Sequence, residues 1–216
     1  MMPEPMPGWV NGGDQVNQRR DGRTGLLRER GTVSRLRNMF EFLETIGFRA
    51  ALIGGLAVAY HANPPITADV DLLIYGYWKE LLKACKKYCR PLGFRVTVFG
   101  FLTKRQRLGQ PMKGVRLITP EGDYTFDLLT TGRDQYLRSV IDRSVEITLY
   151  SMPQNLARIE PQEMADIRVV MPEDLVVMKI MSGREKDVDD VRVLVASGWR
   201  PVNHEQIALT MASLKL

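Results

Sequence analysis

The stretch that most restricts the fold is residues 50–74, AALIGGLAVAYHANPPITADVDLLI. An apolar segment, Phe48 to Ile53, has the length and composition of a buried strand and stops at Gly54-Gly55. Leu56 to Ala62 reads as a short helix, which Pro64-Pro65 must end because proline lacks an N–H. Ala68 to Tyr75 is then the next strand. Alternation along it places Asp69 and Asp71 on one face, with Val70, Leu72 and Ile74 on the other. Two carboxylates about 7 Å apart on one strand repel, and partial burial increases the penalty. A divalent cation resolves the conflict, since Mg²⁺ takes carboxylate, phosphate and water oxygens together.

Composition narrows the setting. The 216 residues are enough for one domain with an appendage, or two small lobes, and 44% hydrophobic content supports an ordinary core. No apolar run reaches the roughly 18 residues that span a bilayer, so no membrane partner is expected. The first residues lack a charged start followed by an apolar stretch, so no secretory signal is expected. Cys85 and Cys89 stand i, i+4 with both histidines remote, which excludes a disulfide framework and a zinc site. A cytoplasmic location fits. The net charge of +5 permits a polyanionic partner without requiring one.

Three regions follow from the pattern. Residues 1–31 read as a flexible basic arm, either a solvated tail or a nucleic-acid contact. Residues 32–150 form the core, and residues 151–216 a strand and helical portion that completes a cleft. In the core, Ser34 can cap a helix with Leu36, Met39, Phe40, Leu43 and Ile46 inward. Trp78 to Cys89 is a second helix, bearing Lys83, Lys86 and Lys87 on a face that is either solvated or an acceptor-binding patch. Gly93 to Phe99 is a strand; Gly114 to Thr119 and Tyr124 to Leu129 flank the turn PEGD as a hairpin. A helix near Arg133 to Asp142 and a strand near Val145 to Tyr150 come next. One helical segment is expected from Pro172 to about Ala196, and another from His204 to Leu214. The order implies an α+β fold: a mixed β-sheet flanked by helices, with a C-terminal helical portion.

A third acid, Asp127, interrupts the apolar strand YTFDLL, with Phe126 and Leu128 on the opposite face. Carboxylates from neighbouring strands can hold two metals about 4 Å apart, as two-metal phosphoryl transfer requires. Gly54 and Gly55 lack side chains, so phosphates can approach backbone N–H groups where a helix begins. Further on, Lys179 lies on an apolar helix among Leu175, Val176 and Met178, where an unpaired ammonium is costly. It either snorkels to the surface or has a phosphate or carboxylate partner. Arg184, Lys186, Asp187 and Asp190 can equally make a salt-bridged helix surface, with Lys186 and Asp190 at i, i+4.

Gly-Gly, thirteen residues, Asp-x-Asp and a later strand Asp resemble the DNA-polymerase-β-type nucleotidyltransferase superfamily. Within it, VVMPEDLVVMKIMSGREKDVDDVRVL is similar to the C-terminal signature of the AbiEii toxin-like group: Pro-x-Asp-Leu, a helical Lys, then Arg-x-Lys-Asp-x-x-Asp. The likeness covers roughly residues 45–196. It implies the nucleotidyltransferase fold and transfer of a nucleoside monophosphate from an NTP to an acceptor hydroxyl, with two Mg²⁺ ions held by Asp69, Asp71 and Asp127. Asp127 would also act as base and Lys179 would offset triphosphate charge. Gly54, Gly55, Thr67, Arg184, Lys186, Asp187 and Asp190 would surround the nucleotide. The group also implies a toxin–antitoxin setting, with tRNA or a protein as acceptor and a cognate antitoxin as partner. An Arg that often stands two residues before the Thr is replaced by Pro65. Two alternatives stay open: an aminoglycoside-type transferase acting on a small molecule, and a non-catalytic nucleotide-binding or antitoxin module.

Overall fold

The computed structural model describes residues 24–62, 69–101, 112–150, 164–197 and 201–216. Pro65 and Thr67 lie outside them. Two compact units emerge, Met1–Phe48 with Glu146–Ile167, and Arg49–Val145 with Arg168–Leu216. In the first, helix α1 spans Thr24–Thr45. Residues 24–31, expected to belong to the flexible arm, are therefore helical, and Ser34 lies inside the helix instead of capping it. Leu and Arg are strong helix formers, and LLRER carries the helix upstream of its first buried turns. Leu36, Met39 and Leu43 recur at helical spacing and are buried.

The remaining elements are β1 (Ala50–Ile53), α2 (Gly54–Ala62), β2 (Val70–Ile74), α3 (Trp78–Tyr88), β3 (Arg95–Phe101), β4 (Met112–Ile118), β5 (Thr125–Thr130), α4 (Gln135–Arg143), β6 (Val145–Tyr150), β7 (Met164–Val169), α5 (Pro172–Ser182), α6 (Glu185–Ala196) and α7 (His204–Leu214). The described strands form a seven-stranded mixed sheet in the order β3-β4-β5-β2-β1-β7-β6. The fold is α+β, with helices flanking a mixed sheet, as the element order implies.

Register fixes what each strand displays. Ile53 pairs with Asp71 across antiparallel β1 and β2. Asp71 pairs with Asp127 across parallel β2 and β5. Asp127 pairs in turn with Arg116 across antiparallel β4 and β5. On the opposite face, Val70, Leu72, Phe126 and Leu128 are completely buried. A one-residue slip would exchange those faces, so the apolar side holds the acidic side in place.

The helix expected over Pro172 to Ala196 is two helices. Gly183 adopts φ +65°, and its N–H donates to the Lys179 carbonyl at 3.2 Å. This left-handed cap ends α5, and extended Arg184 starts α6 in a new direction. At the other end of α5, Asp174 accepts from Arg143 at 2.7 Å and from the Tyr136 hydroxyl at 3.1 Å, which fastens α4 to α5.

Candidate active site

Asp71 occupies the second position of β2 and is half-buried, whereas Asp69 precedes the strand and is exposed. Asp127 is the third residue of β5, and its side chain is 16% exposed. In-register neighbours on adjacent strands stand about 4.8 Å apart, so two like charges meet here directly. Burial, and next the Asp127 charge, pushes the Asp71 carboxyl up to about 6, against the pull of Lys179 and Arg184.

Gly54 opens α2 at φ +70°, and a Cβ there would collide with the Asp71 carboxylate. Both facts demand glycine: the left-handed backbone, and a carboxylate packed against the Cα. The Gly-Gly turn and the Asp-x-Asp strand, thirteen residues apart in sequence, thus meet at Gly54 and Asp71. Gly55 follows in the first turn of α2.

The main residue that sequence reasoning missed is Arg116. Its Nε and Nη2 each donate to one oxygen of Asp127 at 2.6 Å. The guanidinium also lies over the Phe99 ring, 5.4 Å from its centroid. Phe99 reaches that position because its cross-strand partner is Gly114, where any Cβ would strike the ring. Counting outward from the PEGD turn would have paired Arg116 with Asp127. Nothing in the apolar string GVRLIT marked its arginine as functional.

The α5–α6 corner supplies a second ionic group. Lys179 donates to Asp187 at 3.0 Å and to Asp190 at 2.5 Å. Arg184 forks onto both oxygens of Asp187 at 2.8 and 3.0 Å, and the Ser182 hydroxyl also donates to Asp187. Burial alone would raise the Asp187 carboxyl, yet the donors Arg184, Ser182 and Lys179 hold it down at about 2. Of the two partners open to Lys179, carboxylate is the one found. Lys186 is exposed on α6, and Asp190, its expected i, i+4 partner, accepts from Lys179 instead. On α3, Lys83, Lys86 and Lys87 are exposed.

Asp71, Asp127 and Arg116 line one cavity of about 330 Å³ together with Gly54, Lys179 and Arg184. Leu129, Leu175 and Met178 add apolar wall. Asp71, Asp127 and Arg116 reach the cavity from the sheet, and Lys179 and Arg184 reach it from the α5–α6 corner. Carboxylate oxygens from two strands, with too little positive charge at Asp71, are a donor set that suits a hard divalent cation. Among the described residues, however, no cluster of three or more acids, histidines or cysteines stands arranged around a metal position. Asp69 stands just before β2, and both oxygens of Asp127 are engaged by Arg116.

No protein-family model and no curated protein matches the chain. Among solved structures it is similar to an antigenic nucleotidyltransferase-like protein from Paracoccidioides brasiliensis, at 18% identity and TM-score 0.46 over 86% of each chain. It is also similar to ANT(2")-Ia in complex with adenylyl-2"-tobramycin, at 13% identity and TM-score 0.48, covering 86% of this chain and 97% of that one. A third is lincomycin-bound LnuA, a lincosamide antibiotic adenylyltransferase, at 14% identity and TM-score 0.42 over 76% and 96%. At these values the likeness is one of general architecture and carries nothing about substrate.

Proposed function

We propose that the chain is a metal-dependent nucleotidyltransferase. The observation that carries the reading is the in-register pair Asp71 and Asp127 beside the side-chain-free start of α2 at Gly54. Mg²⁺ held by Asp71 and Asp127, with Asp69 at the entrance, would offset triphosphate charge and acidify the acceptor hydroxyl. Gly54 and Gly55 offer backbone N–H groups to the phosphates. Asp127 receives the hydroxyl proton; the acceptor oxygen bonds to the α-phosphorus, the bond to the β-phosphate oxygen breaks, and pyrophosphate leaves. Lys179, tied to Asp187 and Asp190, holds the corner that carries Arg184 into the cavity, and adds long-range positive charge there. Lys186, the exposed cation of the same motif, and Thr67 are further candidates for nucleotide contact.

The C-terminal signature supports an AbiEii-like role: a toxin with tRNA or a protein hydroxyl as acceptor, restrained by an antitoxin. A small-molecule acceptor is the second reading. It is favoured by the cavity's modest volume and by its apolar wall of Leu129, Leu175 and Met178. Incubation with each α-labelled NTP, Mg²⁺, and either total tRNA, cell protein or a panel of aminoglycosides tests both. Label is expected on one acceptor class and absent with Asp71→Asn. Equal labelling by that variant would sink the mechanism.

A further inference from the structure

The cations lining the cavity differ in what holds them. Lys179 and Arg184 are bound by Asp187 and Asp190, carboxylates of their own corner. Arg116 is bound by Asp127, a carboxylate that the nucleotidyltransferase reading needs for metal and proton transfer. A guanidinium fork engaging both oxygens of Asp127 and a divalent cation on the same carboxylate would be like charges at contact range, so each weakens the other. Arg116 is nonetheless placed to leave. Its side chain is 43% exposed, it rests on the face of Phe99, and it lines the cavity in which phosphates would lie. The same planar fork that matches a carboxylate also matches a phosphate.

We infer that Arg116 is an exchangeable counter-ion: it caps Asp127 in the ligand-free protein and transfers to the polyphosphate when metal takes Asp127. The consequence is coupling. Metal alone must displace Arg116, and polyphosphate alone must draw Arg116 from Asp127. When both bind, that separation occurs once and serves both, so each ligand strengthens the other. This inference rests on the nucleotidyltransferase reading of the site.

Two substitutions separate the roles. Arg116→Met removes the charge and keeps much of the stem; Arg116→Lys keeps a charge but loses the two-pronged fit. Mn²⁺ binding, followed by its electron paramagnetic resonance signal without nucleotide, is expected to tighten about tenfold in Arg116→Met and by less in Arg116→Lys. Inorganic tripolyphosphate binding at saturating Mn²⁺, followed by calorimetry, is expected to weaken about tenfold in Arg116→Met and to be largely retained in Arg116→Lys. A residue that only supports the fold would weaken both ligands together, and circular dichroism of Arg116→Lys checks that the sheet is intact. If the wild-type protein binds both ligands and the substitutions leave both affinities unchanged, or shift them in the same direction, the exchange is wrong while the enzyme reading stands. If the wild-type protein binds neither Mn²⁺ nor its tripolyphosphate complex, the enzyme reading fails and the exchange fails with it.

Discussion

The sheet row and the helix corner use the same residue types to opposite ends. At the corner, Lys179 and Arg184 face Asp187 and Asp190, two cations for two carboxylates, with Asp187 almost wholly buried. On the sheet, Asp127 lies between Asp71 and Arg116, and Arg116 is committed to Asp127. Charge is balanced in the first group and short of cations in the second. Balanced, buried ion pairs hold elements together, whereas a carboxylate raised to about 6 is poised to accept a cation. On the proposed reading the row is the place for chemistry, and the corner keeps the cavity's far wall in position.

Breaking the corner has the largest expected effect on stability. Lys179→Met leaves buried Asp187 and half-buried Asp190 with one cation fewer, and should lower stability by about 3–5 kcal/mol in urea denaturation. A loss below about 1 kcal/mol would mean the corner is not a clamp. Next comes Gly54→Ala, which forces a Cβ into the left-handed region and against Asp71. A cost of about 1–3 kcal/mol is expected, together with loss of nucleotide transfer.

The sheet row should respond with the opposite sign. Asp71→Asn removes a like charge in register and should raise stability by about 1 kcal/mol at pH 8 while abolishing transfer. Because the folded carboxyl lies near 6, above its ordinary 3.8, the wild-type penalty is complete above pH 6 and disappears as the pH falls towards 3.8. Melting curves of the two proteins should therefore converge across that window; a constant gap would refute the assignment. Asp187, held at about 2, contributes the other way, with stability present above 3.8 and lost as the pH falls through 2. The smallest effect belongs to Lys186→Ala. Exposed as it is, it should change stability by less than about 0.5 kcal/mol, so any rise in KM for NTP would report on binding alone.

Much of the sheet row could be read from residue order. Asp71 and Asp127 stood out because a carboxylate on an otherwise apolar strand needs a reason, and alternation assigned their faces. Gly54 stood out because a glycine pair between a strand and a helix has few other uses. Arg116 did not: an arginine on a half-exposed hairpin strand is unremarkable until its cross-strand neighbour is known. The corner was obscured by a different cause. Residues Pro172 to Ala196 carry enough helix formers to look continuous, and on one straight helix Lys179 and Asp187 would lie about 12 Å apart along the axis. Only the left-handed turn at Gly183 brings them to 3.0 Å.

Local spacing was enough for the α+β class, for the strands that carry Asp71 and Asp127, and for which face of each is apolar. Those properties follow from local spacing, which any segment carries with it. Pairing of Asp71 with Asp127, the capture of Asp127 by Arg116, and the folding of α6 back onto Lys179 were decided by the tertiary structure. Each depends on register or chain direction between distant segments, and short-range patterns do not encode which strand lies beside which.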